Sequence, residues 1–453
     1  MVILPCSGCI IENLTCSFRR RSDILQHAVA FERAVVTPYS FATIFVPAFF
    51  SYYAMAVLVQ LPHTTLYRAA LLPVVFWLTF RANMSLDLSW NYPGYVYFNQ
   101  GLSVSVNFSH RDCIVSNAAI QLGMFTIAMR STAWVFTKRS YTRLPICKSG
   151  NGTINGHNGN TPSKHDVSVS SALWNAWDLI VNLRRIGWNG SERMHVPKPY
   201  FRVESRLTFA LLSLCRLISY LLAFDVLCKC VRSLGPETFG TPKGGTIFDP
   251  SLPPSERYIK SFIVTLLSGY SAYFIIEAVY LLHALLFTIL FQQYPSQWPP
   301  LFDSPWFSTS LSSLWGRRWH QLFREYFVAV GSKPLERYFG RAGTVMGAFA
   351  VSGALHDVGM RGMGRGGDSL PVIGFFLMQG VGVSTEHAWK QVTGRRVSGI
   401  IGWLWVFCWF VLLGQVIVDV WARRGLLGAE FLAEAYRPST LFLNWISGGN
   451  GAS

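Results

Sequence analysis

Gly343-Thr-Val-Met-Gly-Ala-Phe-Ala-Val-Ser-Gly-Ala-Leu-His356-Asp357 is an apolar, small-residue stretch with an imidazole set into it. It predicts a membrane helix over about 343–360. A titratable side chain at bilayer depth is costly and marks a functional site by default. Histidine is the side chain that exchanges protons near neutral pH. Upstream, past a basic turn, comes Trp315-Gly-Arg-Arg-Trp-His320-Gln321, an aromatic and cationic segment suited to an anionic cosubstrate.

The rest of the chain agrees with a membrane reading. Of 453 residues, 51% are hydrophobic and 14% charged, against roughly 25% charged in a soluble domain. Mean hydropathy is +0.30. The 16 Trp, 18 Tyr and 33 Phe suit interfacial belts and apolar pockets. The net charge of +16 implies basic cytoplasmic loops, with anionic lipid or a phosphorylated cosubstrate as further partners. The cations are scattered between apolar runs, which argues against nucleic acid. Nine cysteines, an odd number with several in apolar segments, indicate neither a disulfide framework nor a zinc site. Cys6-Ser-Gly-Cys9 has no matching second pair, and reads as incidental or as a palmitoylation site. No basic n-region precedes the first apolar run, so a cleaved signal peptide is not expected.

The expected architecture is all-α, a polytopic transmembrane bundle of about seven to nine spans with interfacial amphipathic helices. Residues 1–40 form an N-terminal segment and 41–136 the first membrane helices. Within the latter, 41–61 is a strong span and 113–136 a span containing Arg130. Ala69–Phe80, with Pro73, reads as a buried or re-entrant helix, and 92–108 is only weakly apolar. Residues 137–206 hold eleven Lys or Arg against four acidic residues and are expected in the cytoplasm. They include the flexible, low-complexity stretch 150–160 and a surface helix over 173–189, with Arg184 and Arg185 on its polar edge. The catalytic membrane region is placed at 207–430, with spans near 207–228, 259–291, 343–360, 370–386 and 397–421, and 431–453 is a tail. The run 259–291 is either one tilted helix or a span joined to an interfacial helix.

On a helix over 311–327, Trp315, Trp319, Leu322 and Tyr326 form one apolar stripe, with Arg317, His320, Gln321 and Arg324 opposite. Such a helix lies on lipid headgroups or holds phosphates. Around His356, Ser352 and Gly353 leave a small face, and Gly343 with Gly347 lets another helix approach. That histidine serves either as a base toward a lipophilic alcohol or as a bundle contact. Asp357 points roughly 100° away and reads as a helix-end contact rather than an orienting carboxylate. Arg130, Arg216, Asp225, Glu277, His283 and Asp419 form no intrahelical relay and read as bundle contacts or snorkelling ends. P-loop, dinucleotide-binding, nucleophile-elbow and zincin signatures are absent.

Three elements together carry a resemblance: Arg184-Arg185-Ile-Gly-Trp-Asn189, then Pro299-Pro-Leu-Phe302 leading into Trp315-Gly-Arg-Arg-Trp-His320-Gln321, then the span with Ala354-Leu355-His356. In this order they resemble the wax synthase-like branch of the membrane-bound O-acyltransferases, with Arg185 where that branch usually has glycine. The resemblance implies acyl-CoA-dependent transfer to a lipophilic alcohol, with no permanently bound cofactor and no metal. It makes His356 the base, and His320 a match to a position that is Asn in some relatives and His in others. Arg317, Arg318, Trp315, Trp319 and Gln321 are then the expected acyl-CoA contacts. Fungal members include secondary-metabolite acetyltransferases beside wax synthases, so acetyl transfer to a terpenoid or polyketide alcohol leads and wax-ester synthesis is the close rival. An endoplasmic-reticulum membrane is the expected location. A proton-coupled transporter using Glu277, His283 and His356 is the rival from another class, weakened by the lack of a repeated second half. A membrane scaffold is the third reading.

Overall fold

A computed structural model describes residues 34–87, 94–97, 103–106, 114–144, 168–191, 194–199, 203–429 and 437–446. The expectations for Cys6 and Cys9, for the flexible stretch 150–160 and for most of the segments 1–40, 92–108 and 431–453 lie outside these residues. The described chain is helical apart from two small two-stranded ladders, Ala34–Val35 with Leu86–Asp87 and Gly94–Tyr97 with Ser103–Val106.

The helices are α1 Pro38–Leu58, α2 Thr65–Ser85, α3 Ile114–Val135, α4 Val169–Val181, α5 Arg206–Ser233, α6 Pro254–Leu290, α7 Lys333–Gly362, α8 Ser369–Thr393, α9 Gly399–Arg423 and α10 Pro438–Ile446. Four of them, α1, α5, α6 and α9, are long and apolar enough to cross a membrane. The expected count of seven to nine is not reached on that ground, because α2, α3, α7 and α8 carry polar groups that neighbouring helices bury. Arg68 on α2 and Arg130 on α3 are examples, at 4% and 0% exposure. Arg130 donates to the carbonyls of Leu179 and Ile180, each at 2.7 Å, and so satisfies the open C-terminal end of α4. The run 259–291 is one helix of 37 residues, and Ala69–Phe80 is the middle of the 21-residue α2, with Pro73 inside it.

Helices α5 and α6 pair along their lengths, and α9 lies on α6. Helix α7 sits at the centre, against α3 on one side and α8 on the other. From Gly343 onward it is enclosed by these helices, and its small residues make that possible. At Gly340 (φ 54°, ψ −137°) the chain folds back, a conformation open to glycine. Gly343 and Gly347 thus admit a close helical neighbour, as expected, and that neighbour is local. A Cβ on Gly347 would stand 2.3 Å from the carbonyl oxygen of Gly331, and one on Gly343 would meet Leu335. The partner is therefore the chain's own preceding segment, and Ser332 Oγ donates to Thr344 O at 2.7 Å across the same contact.

Two other expectations are corrected. The surface helix expected over 173–189 stops at Val181. Arg184 and Arg185 are buried rather than forming a polar edge. The continuous amphipathic helix expected over 311–327 does not form. A helical turn at Leu311–Ser313 and a wider turn at Leu314–Arg318 end at Trp319, which is extended (φ −77°, ψ 147°), and helix resumes at Arg324. The break is held by Asp303 N–H donating to Arg318 O at 2.9 Å and by Arg318 Nη1 donating to Asp303 O and Ser304 O, both at 3.0 Å.

Candidate active site

Helix α7 presents His356 to the interior. Its Nδ1–H donates to the Ser352 carbonyl at 2.8 Å, one turn back, where Cβ atoms of a helix already lean. A carbonyl only accepts, so this bond assigns the proton to Nδ1 and leaves Nε2 with its lone pair. The ring stacks on Phe376 of α8 at 4.2 Å, and the side chain remains partly exposed. Asp357 turns away: it pairs with Arg361 at 2.9 Å and accepts from Ser369 Oγ at 2.9 Å. As expected, it closes the helix end and does not orient the imidazole.

His320 stands in the unwound stretch after Trp319. Phe302, Trp319 and Phe323 surround its ring at centroid distances of 5.7, 5.7 and 6.0 Å. Burial, then the nearby His356 and Arg184, push its pKa down to about 3. It is therefore neutral at physiological pH, and its buried Nδ1 has no hydrogen-bond partner among the described residues. The structure thus brings the two predicted histidines into one electrostatic neighbourhood, though they come from different elements.

The other expected contacts separate into two groups. Arg317 is exposed and lines a polar cavity of about 430 Å³ together with Arg341, His387, Lys390 and Arg396. Sequence reasoning missed the last four. Their signal was cationic residues at both ends of the small-residue helices, which sequence spacing alone does not bring together. Glu386, buried on the floor of this cavity, accepts from the backbone N–H groups of Leu311 and Ser312, from Ser312 Oγ and from Trp405 Nε1. It is committed to capping that turn. Arg318 and Gln321 instead have internal work. Arg318 clamps the 303–304 carbonyls. Gln321 Nε2 donates to Trp319 O at 2.6 Å and Trp315 O at 3.1 Å, while its buried Oε1 is unpaired. Trp315 donates to Gln379 Oε1 at 3.2 Å and packs edge-on against Trp319 and Phe349.

The element at 184–189 frames the site from the other side. Arg184 donates to Pro299 O at 2.7 Å and Pro300 O at 2.8 Å, fixing the turn that delivers Phe302 to His320. Arg185 has φ 50°, the left-handed region that favours glycine, at the position where the sequence departs from glycine. Its guanidinium pairs with Glu325 at 2.6 Å and lies 4.2 Å over the Tyr141 ring. Tyr326 OH donates to Leu183 O at 2.6 Å. These bonds join the 184–189, 299–302 and 315–326 elements around one pair of imidazoles. Residues 298–378 match the membrane bound O-acyl transferase family.

The matched segment holds both histidines, the WGRRWH element and the packed face of α7. Similar curated proteins agree in kind. A long-chain-alcohol O-fatty-acyltransferase of Simmondsia chinensis is 32% identical over 26% of this chain and 38% of its own length. The acetyltransferase aurG of Calcarisporium arbuscula is 30% identical over 31% of this chain and 38% of its own length. The acetyltransferase ataH of Aspergillus terreus is 28% identical over 55% of this chain and 89% of its own length. The chain thus spans about two fifths of the length of the first two relatives. No solved structure matches. The likeness to wax synthase-like acyltransferases and fungal acetyltransferases, read from three short elements, is borne out by these comparisons. Among the described residues no cluster of His, Cys, Asp or Glu has the composition of a metal site. Glu277 and His283 do not join His356: Glu277 is buried and accepts from the Phe302 backbone, whereas His283 is exposed and bonded to Val279 O of its own helix.

Proposed function

We propose that this protein is a multi-pass membrane O-acyltransferase of the endoplasmic reticulum that moves an acetyl group from acetyl-CoA to a hydroxyl of a lipophilic secondary metabolite, a terpenoid or polyketide alcohol. The observation that carries the reading is the placement of His356. Its Nδ1–H is fixed on Ser352 O, its Nε2 is free, and it neighbours a neutral His320 inside the acyltransferase segment. His356 Nε2 takes the proton of the acceptor hydroxyl as the alcohol oxygen bonds to the thioester carbonyl carbon. The tetrahedral oxyanion collapses, the carbon–sulfur bond breaks, and the imidazolium returns its proton to the departing thiolate. His320, neutral and ringed by aromatic side chains, donates a hydrogen bond to the carbonyl oxygen as it gains charge.

Arg317, with Arg341, Lys390 and Arg396, supplies the cationic surface for the phosphates of the cosubstrate. Trp315 and Trp319 wall off the reacting centre. Arg318 and Gln321 act through the backbone they hold. The names of the fungal relatives support acetyl as the transferred group, and the name of the Simmondsia relative supports the alternative, a fatty acyl group passed to a long-chain alcohol. The test uses microsomes containing the protein, labelled acetyl-CoA or palmitoyl-CoA, and a panel of ring-bearing and linear alcohols. Acetyl esters of the ring-bearing alcohols, lost in His356→Ala, are expected. Palmitoyl esters of linear alcohols alone would replace the reading with wax-ester synthesis. Unchanged ester formation in His356→Ala would sink the catalytic assignment.

A further inference from the structure

A second cavity, sharing no lining residue with the cationic one, lies between α6 and α9. It measures about 170 Å³ and is walled by Tyr270 and Tyr273 of α6, Trp306, Trp319, and Phe407 and Phe410 of α9. Trp403 Nε1 donates to Trp306 O at 2.8 Å, which ties α9 to the Pro305–Phe307 turn across the cavity's edge. Tyr270 and Trp306 are 45% and 39% exposed, so the rim faces outward from two helices apolar enough to cross a membrane. On the inner side the wall is Trp319, whose ring centroid is 5.7 Å from that of His320. The cavity therefore runs from the apolar surface of the bundle to the indole beside the histidine pair.

Size and chemistry limit the occupant. A dry apolar cavity of about 150 Å³ holds a benzene ring, whereas a pocket for a whole drug-sized ligand takes roughly 300–1,000 Å³. This cavity suits one ring of a larger molecule. Its aromatic walls favour an apolar ring by area and by edge contacts. Ser308 contributes to the wall at 1% exposure, and its Oγ is buried with no hydrogen-bond partner. Thr265, the aliphatic hydroxyl that α6 adds to the wall, is already bonded to Ser261 O at 2.8 Å. A buried hydroxyl left unpaired bears the full cost of its lost hydration, and an oxygen substituent on the ring would give Ser308 its partner.

We propose that this cavity seats one oxygen-substituted ring of the acceptor alcohol, entering from the bilayer, and that Trp319 positions it toward His356. The inference rests on the acyltransferase reading for the word acceptor, and on the cavity alone for the ring. It makes the pocket on α6 and α9 a determinant of acceptor shape rather than of acyl-chain length.

The full chain in lipid nanodiscs is photolabelled with a diazirine-bearing sterol alcohol and, separately, with diazirine-bearing hexadecanol. Labelled peptides are then mapped. The sterol probe is expected to label 265–273 and 306–319, and unlabelled ring alcohol, but not palmitoyl-CoA, is expected to compete. Gly269 lines the cavity, and a Cβ there would lie 3.9 Å from Phe410 Cε1, an ordinary contact. Gly269→Leu thus fills the space from a helical position where leucine is the better helix former. It should cut sterol labelling about tenfold and leave the Michaelis constant for acetyl-CoA unchanged. Phe407→Ala should retain labelling and admit bulkier ring alcohols. Equal labelling by hexadecanol, displacement by palmitoyl-CoA, or undiminished labelling of Gly269→Leu overturns the proposal. The two readings fail separately. Labelling as expected without any acetyl transfer by the wild type would defeat the enzymatic reading and keep the ring pocket. Transfer without labelling would do the reverse.

Discussion

The proton on His356 is assigned by a single backbone carbonyl, because the Ser352 oxygen can only accept and so fixes Nδ1 as the donor. On the proposed mechanism, removing the ring removes the base. His356→Ala should lower kcat by about 10²–10⁴-fold with a small change in the Michaelis constant for acyl-CoA, measured with labelled acetyl-CoA in microsomes. His320 makes a different prediction. Burial, His356 and Arg184 hold its folded pKa near 3, below the ordinary 6.5 that applies unfolded. Between those values the unfolded chain takes up a proton that the folded chain refuses. Stability from this group is complete above pH 6.5 and declines as pH falls toward 3. The melting temperature of the wild type in detergent should therefore drop more from pH 7 to pH 5 than that of His320→Phe; equal drops would refute the neutral assignment. Sequence reading picked out both imidazoles because a titratable group in an apolar or aromatic run is expensive. It did not foresee that Arg318 and Gln321, next to them, are used to hold backbone. Gln321 matched a polar helix face and Arg318 an acyl-CoA contact, and no pattern of residue types reveals that a helix will unwind.

At the scale of elements, the stretch 311–327 shows how tertiary contacts override periodicity. Of its expected apolar stripe, Tyr326 is buried and Trp315, Trp319 and Leu322 are half-buried. The helix still breaks at Trp319, because Arg318 and Asp303 exchange bonds with each other's segments and Glu386 caps the N–H groups of Leu311 and Ser312. The break turns His320 inward. Adjacent arginines should then differ in kind. Arg317→Ala should raise the Michaelis constant for acyl-CoA by about tenfold, the loss of one charge-assisted contact, with the melting temperature unchanged. Arg318→Ala should lower the melting temperature and kcat together, as a clamp does. Identical effects of the two substitutions would discredit the division. The doubled-back start of α7 is the second decisive element. A Cβ at Gly347 would stand 2.3 Å from the carbonyl oxygen of Gly331. Gly347→Leu should therefore prevent the segment 328–335 from closing on α7, seen as loss of folded protein in size-exclusion chromatography. A monodisperse, active variant would contradict that contact. Here the small residues were legible in the sequence, but their partner was not. Small faces announce a close approach without saying what approaches.

Across the whole molecule, two cavities of opposite chemistry lie on either side of the WGRRWH element. One gathers Arg317, Arg341, Lys390 and Arg396, and the other is lined by Tyr, Trp and Phe. Charges near the surface are screened within about 8–10 Å at physiological salt. Raising KCl from about 50 to 300 mM should therefore raise the Michaelis constant for acyl-CoA and leave that for the alcohol nearly constant. A salt effect confined to the alcohol would place the phosphates elsewhere. The amino-acid sequence by itself determined the helical, apolar character of the chain, the approximate placement of its apolar helices and the two imidazoles. Each of these follows from local hydropathy, periodicity and the cost of a polar group among apolar neighbours. Only the tertiary structure decided which cations share a cavity, that Arg184 and Arg185 are buried clamps, that α7 is enclosed by protein on two sides, and where the aromatic pocket opens. Those features depend on residues from 184 to 410 meeting in space. No local pattern encodes that meeting, because it is set by which surfaces close together once the helices are formed.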